Sequence, residues 1–253
     1  GVVTIPGVNS KAVALQPDGK IVVAGDLPRN GQSYVFVTRY KPGGALDPNF
    51  NGGRIKVFEI VPGYDNFANA VAVQSDGKIV VAGFSKKQGV NFSLLTLARL
   101  NPDGTFDTAF GSGGGKVSTQ IGAFPLNKGD DLKIQTDGRI VVVGNVERDL
   151  PDDNNIPLII RFNSNGSIDT SFGNSGAVVF NIFTNHREGS FRGVALQADG
   201  RIVASGYEGT TDGVSHVLAA RFNSDGHLDR TFNRTGIALT TFNGNLVGFK
   251  LKI

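Results

Sequence analysis

Four arginines, Arg39, Arg99, Arg161 and Arg221, each precede an aspartate by eight residues: Asp47, Asp107, Asp169 and Asp229. An arginine fork can grip an anionic ligand through charge-assisted hydrogen bonds, and it can equally tie a turn to a strand. A reaction centre needs its groups once, whereas these pairs recur four times, so an architectural role is expected. Phe50, Phe110, Phe172 and Phe232 follow each aspartate by three residues and are expected to pack beneath the same turn. A second set, Asp18, Asp76, Asp137 and Asp199, stands directly before glycine between apolar runs, which is hairpin chemistry.

Other chemistry fails on spacing. The three histidines, His186, His216 and His227, form no local zinc pattern, and the absence of cysteine removes thiolate ligands and disulfides. No G-x-S-x-G elbow marks a serine nucleophile, and the glycine run at Gly111–Gly115 meets neither the G-x-x-x-x-G-K-[ST] pattern nor the following helix of a phosphate loop. The repeated turns offer calcium one carboxylate each, without the alternating oxygen donors of a calcium loop. A separate acidic loop holding Asp149, Asp152 and Asp153 supplies the calcium candidates, against the simpler reading of a solvated loop. No catalytic residue is assigned, and no cofactor is expected beyond calcium at that loop. Lysine and arginine are scattered and the net charge is only +3, which argues against nucleic acid as a partner. No apolar run reaches the length of a membrane-spanning helix, so membrane insertion is not expected.

The elements that hold these residues come from a repeat. Segments 12–60, 70–121, 131–182 and 193–242 align throughout, and their turn aspartates are separated by 58, 61 and 62 residues. Each opens with a short strand, a turn and a second strand: ALQPDGKIVVAG, AVQSDGKIVVAG, KIQTDGRIVVVG and ALQADGRIVASG. A third strand ends at the arginine, a constant turn carries the aspartate and phenylalanine, and a fourth strand follows. Runs such as Ile-Val-Val-Ala-Gly predict strands buried on both faces, which a small sheet achieves only when stacked between neighbours. The chain is therefore read as all-β, a β-propeller or propeller-like array of four-stranded antiparallel blades, forming a single repeat domain over 1–253. Terminal strands at 1–5 and 249–253 resemble the last and first strands of a repeat. They leave two arrangements open, pairing with each other or membership of a longer array.

The string Q-x-D-G-[KR]-I-V-V-x-G, followed by R-[FYL]-x-x-x-G-x-[LFI]-D-x-x-F, resembles the delta-60 repeat of bacterial tandem-repeat proteins. The resemblance covers essentially the whole chain. It implies a propeller-like architecture and an extracytoplasmic setting, secreted or at the cell surface, and it implies no reaction. Leu100 departs from the usual aromatic after the arginine, and Asp131-Leu132-Lys133 makes the third opening strand more polar.

Function is then sought where the repeats disagree. The loops between second and third strands and the connections between units vary in every copy, and scaffold-held loops carry binding. Tyr34, Tyr64, Tyr207 and Phe191 are the aromatics expected to contact a ligand. The leading expectation is a non-catalytic binding or structural module that recognises a glycan or a protein. Two alternatives stand beside it: a propeller lyase or hydrolase acting on a polysaccharide or lactone, and a stalk or filament subunit that self-associates through its terminal half-blades.

Overall fold

The computed structural model describes residues 4–148, 155–180, 186–210 and 214–242. Its sixteen strands form four antiparallel four-stranded meanders, each with its strands in sequence order. Blade 1 holds β1 (Asn9–Leu15), β2 (Ile21–Arg29), β3 (Gln32–Tyr40) and β4 (Lys56–Phe58). Blade 2 holds β5 (Asp65–Val73), β6 (Ile79–Lys86), β7 (Ser93–Leu100) and β8 (Lys116–Thr119). Blade 3 holds β9 (Leu126–Ile134), β10 (Ile140–Glu147), β11 (Asn155–Phe162) and β12 (Ala177–Val179). Blade 4 holds β13 (His186–Leu196), β14 (Ile202–Thr210), β15 (Ser215–Phe222) and β16 (Ile237–Phe242). Among the described residues the one helical element is a 3₁₀ turn at Asn51–Gly53.

The chain divides into two compact units, Gly1–Thr119 with blades 1 and 2 and Gln120–Ile253 with blades 3 and 4. In unit 1 the core forms between facing blades. Val22, Ala24, Val35 and Val37 of blade 1 meet Ile79, Val81, Ala98 and Leu100 of blade 2. In unit 2, Val141, Val143 and Ile159 meet Ile202, Ala204, Leu218 and Ala220 in the same way. Successive residues of the second strands thus feed opposite faces, which is why those strands are continuously apolar.

First strands begin earlier than the repeat alignment placed them: Asn9 rather than Ala12, Asp65 rather than Ala70, Leu126 rather than Asp131, His186 rather than Gly193. A β-bulge is the reason. Lys11, Asn69, Asp130 and Arg192 are each an extra residue in the first strand, skipped by the pairing with the second. Beyond the bulge the side chains no longer follow the repeated apolar pattern, so the alignment stops there. Opposite each bulge lies an obligatory glycine. A Cβ on Gly25, Gly83, Gly144 or Gly206 would collide with the carbonyl oxygen of Asn9, Phe67, Lys128 or Ser190.

The Asp-Gly hairpins are built without positive φ at aspartate. Gly19 donates back to the Gln16 carbonyl at 2.9 Å and alone takes the left-handed conformation, φ 79°. The aspartate instead receives the N–H two residues on, at 3.2 Å for Asp18, 3.1 Å for Asp76 and 3.0 Å for both Asp137 and Asp199.

The constant turn is locked by the arginine. Nε of Arg39, Arg99, Arg161 and Arg221 donates to Oδ2 of Asp47, Asp107, Asp169 and Asp229 at 2.8, 2.8, 2.7 and 2.7 Å. Each guanidinium also lies over the ring of Phe50, Phe110, Phe172 or Phe232, 4.5–5.2 Å from its centroid. Burial pushes the Asp47, Asp107 and Asp169 carboxyls upward. Hydrogen bonds from the turn and the arginine charge outweigh it, and all three are held below the ordinary aspartate value. The same arginines join blades within each unit: Arg39 Nη1 reaches the Pro102 carbonyl at 2.7 Å, and Arg161 Nη1 reaches that of Ser224.

Candidate functional site

The bulge decides which polar side chains gather. Its extra residue differs in every blade, as does the residue after the obligatory glycine: Asp26, Phe84, Asn145 and Tyr207. In unit 2 these variable positions meet on β9, β10, β13 and β14. Arg192 Nη1 donates to Asp130 Oδ2 at 2.9 Å, and the guanidinium lies 5.6 Å from the centroid of the Tyr207 ring. Ser190 Oγ lies 3.4 Å from both Asp130 Oδ2 and Asn145 Oδ1. Beside them Lys128 Nζ donates to Glu147 Oε1 at 2.9 Å, and Asp131 accepts the Val194 N–H at 3.0 Å. Glu208, buried, stands across the β14–β15 ladder from His216.

Exposure divides this cluster into two layers. The carboxylates are sunk, with the Asp130 and Glu147 side chains 11% and 10% exposed, while their cations Arg192 and Lys128 are 34% and 31% exposed. Burial opposes the charge on Arg192, but Asp130 and the Tyr207 hydroxyl overcome it and raise its pKa. The Tyr207 phenol is raised by burial first; Arg192 pulls it down and the carboxylates of Glu188 and Asp130 push it up. The result is a neutral phenol beside a fixed cation over buried carboxylates. Such a surface hydrogen-bonds hydroxyl-rich ligands in both senses.

Unit 1 carries a smaller counterpart, in which Asp26 accepts from Asn9 Nδ2 at 2.8 Å and pairs with Lys11 Nζ at 3.6 Å. At the loop end of blade 1 the structure brings Tyr34 and Tyr64 together around Gln32. The Tyr34 hydroxyl donates to Gln32 Oε1 at 3.3 Å, and Gln32 Nε2 donates to the Tyr64 carbonyl at 2.7 Å and to Glu59 at 2.6 Å.

Of the four aromatics singled out from sequence, Tyr207 lies in the unit 2 cluster and Tyr34 and Tyr64 share the unit 1 loop site. Phe191 is corrected. It is fully buried and packs 5.5 Å from Phe180 and 6.1 Å from Phe222, so it offers a ligand no surface. Its ring belongs to the core between blades 3 and 4. Asp149, Asp152 and Asp153 lie outside the described residues. Asp130 and Arg192 were missed from sequence because they are the bulge residues themselves, where the alignment lapses, and Glu147 because it ends β10 in the stretch that varies between blades. The polar departure at Asp131-Leu132-Lys133 was the available signal.

Unit 2 also has a cavity of about 980 Å³ between β12 and the constant turn of blade 4, floored by Val178, Phe180, Phe222 and Leu228 and rimmed by His227 and Arg230. In unit 1 the matching space holds Phe106, edge-on to Phe58 at 5.1 Å and capped by Lys56 and Lys116 at 5.0 and 4.7 Å.

Several solved propellers share this fold. The α-L-arabinanase of Penicillium chrysogenum, complexed with arabinobiose, is 13% identical with a TM-score of 0.57, over 94% of this chain and 67% of that one. The α-L-arabinofuranosidase of Fusarium graminearum, bound to an iminosugar inhibitor, is 9% identical with a TM-score of 0.54, over 93% and 66%. The same enzyme in complex with arabinobiose gives the same figures. The chain thus spans about two thirds of the length of these structures, and the likeness is one of fold. No curated protein matches the sequence. A family model described as "Domain of unknown function (DUF5122) beta-propeller" matches residues 16–50, 74–110, 135–172 and 197–232, one stretch per blade and together more than half of the chain. With sixteen strands in four repeated meanders under those four matches, the chain belongs to this β-propeller repeat family.

Proposed function

We propose that the chain is a glycan-recognising propeller module and that a neutral oligosaccharide binds over Asp130, Arg192 and Tyr207. One observation carries the reading. The positions at which the blades differ converge in unit 2 into a half-exposed arginine and tyrosine over a sunken carboxylate, whereas the repeated Arg, Asp and Phe are occupied in holding turns. Fixed donors and acceptors beside a ring face suit the alternating hydroxyls and apolar patches of a sugar. Two of the propellers similar in fold were solved with arabinobiose, which makes arabino-oligosaccharides the first ligands to try. The resemblance to delta-60 repeats supports an extracytoplasmic setting; no helix among the described residues is long and apolar enough to cross a membrane. Calorimetric titration with arabino-, xylo- and galacto-oligosaccharides tests the proposal. Binding to at least one series is expected, weakened tenfold or more in Arg192→Ala, a loss of about 1.4 kcal/mol. Binding that survives Arg192→Ala unchanged would move the site elsewhere.

A second reading is favoured by the two sunken carboxylates on neighbouring strands, Asp130 and Glu147, each beside a cation. Paired carboxylates are the machinery of glycoside hydrolysis. Release of reducing ends from a bound oligosaccharide, abolished in Asp130→Asn with binding kept, would establish catalysis. Binding without release would leave recognition alone.

A further inference from the structure

The repeat supplies an internal comparison for the cavity of unit 2. In unit 1 the chain fills the matching space itself. Phe106 sits there edge-on to Phe58, and the ammonium groups of Lys56 and Lys116 lie 5.0 and 4.7 Å from its ring centroid. At the positions of Phe106, Phe58, Lys56 and Lys116, unit 2 carries Leu228, Phe180, Val178 and Ile237. The aromatic wall is kept, while the inserted ring and both of its cations are replaced by aliphatic side chains. A cavity of about 980 Å³ results, and its described lining lies entirely within unit 2. That size suits a small-molecule site.

The lining is apolar at its base and cationic at its rim. Phe180 and Phe222 are buried beneath it, and Val178, Val179 and Leu228 are half-buried around it. Among the described lining residues the ionisable side chains are His227 and Arg230, and none is a carboxylate. His227 Nδ1 already meets Asp225 Oδ2 at 3.2 Å. Arg230 is exposed and forms no ion pair with a described residue. Its position in the constant turn is held by Pro48, Thr108 and Thr170 in the other blades, so the turn does not need an arginine there.

We infer that this cavity binds a small aromatic carboxylic acid. The aryl ring lies against Phe180 and Leu228, where unit 1 seats Phe106, and the carboxylate meets Arg230. An edge-to-face ring pair is worth more than its buried area alone. A guanidinium matches a carboxylate through two parallel N–H···O bonds, which gives the acid an advantage over a neutral ligand of the same shape. The site shares no residue with the proposed glycan surface at Asp130, Arg192 and Tyr207, so either can fail without the other.

Isothermal titration of the full chain with 3-phenylpropionate tests the inference, with 3-phenyl-1-propanol as the neutral counterpart. One-to-one binding of the acid is expected, about tenfold tighter than that of the alcohol. Arg230→Thr, which installs the residue of blades 2 and 3, is expected to remove that preference and leave the alcohol's affinity unchanged. Leu228→Phe, which copies unit 1, is expected to fill the space and abolish binding of both. Far-UV circular dichroism establishes that each variant folds. If Leu228→Phe does not, methyl NMR of the wild type replaces it, with shifts expected at Val178, Val179 and Leu228 when the acid is added. No binding of the acid at millimolar concentration overturns the inference. So do equal affinities for acid and alcohol, undiminished binding in folded Leu228→Phe, or methyl shifts confined to other residues.

Discussion

At the scale of single residues, the molecule spends its repeated polar groups on structure and its unrepeated ones at the surface. Removing one partner of a buried, hydrogen-bonded ion pair leaves the other uncompensated. Arg39→Ala should therefore cost about 3–5 kcal/mol, read as a fall in the urea midpoint, while Arg192→Ala, on a side chain one third exposed, should leave stability nearly unchanged. Gly83 is a sharper case, because its constraint is steric. A Cβ there overlaps the Phe67 carbonyl, so Gly83→Ala should destabilise by at least about 2 kcal/mol although alanine suits strands no worse than glycine. Equal stability of Gly83→Ala and wild type would mean that the bulge relaxes more easily than its geometry implies.

At the scale of elements, the bulged first strand and the connection that leads into it are the informative pieces. Asn66 accepts the N–H of Ile60 and of Val61 at 3.0 and 2.9 Å and the Ser85 hydroxyl at 2.7 Å, and it donates to the Tyr64 carbonyl at 2.6 Å. Asn127 repeats the role in blade 3, accepting from Ile121 at 2.8 Å and donating to Phe124 at 2.8 Å. One amide thus takes over backbone groups that the connection leaves outside the ladder. Asn66→Ala should cost about 2–4 kcal/mol, since each buried group left unmade carries its own penalty. Amide exchange should accelerate first at Ile60 and Val61. These two asparagines were legible as residues but not as anchors, because the loop they close varies between blades and only the fold shows which N–H groups it strands.

At the scale of the whole chain, repetition multiplies small terms. The turn carboxylates Asp47, Asp107 and Asp169 are all held below the ordinary value, and Asp229 is too, chiefly through its bond from Thr231. Folded values below unfolded ones mean stabilisation that is fully present above the unfolded value near pH 3.9 and is lost as pH falls through the folded values. Stability should be flat between about pH 7 and pH 5 and fall steeply below about pH 4. Several carboxylates titrating together should make the fall steeper than one proton would. Denaturant midpoints measured across that range check it, and a loss of stability beginning above pH 5 would point to other groups.

The sequence by itself determined the four strands of each repeat, the hairpin turns and the pairing of each arginine with its aspartate and ring. All of these are local in the chain: the partners lie within eleven residues, and the identical pattern returns four times. It determined, too, that the second strands of blades 2 and 3 are covered on both sides, because their apolar run has no polar alternation to turn outward. Only the tertiary structure decided what lies beyond the bulge. Asp130 and Arg192 are 62 residues apart and belong to no shared motif. They meet because an extra residue in two neighbouring first strands turns each onto the same surface. Phe191 was misplaced for the complementary reason: one residue of register separates a ring in the core from one facing outward, and the bulge that sets the register leaves no mark in composition.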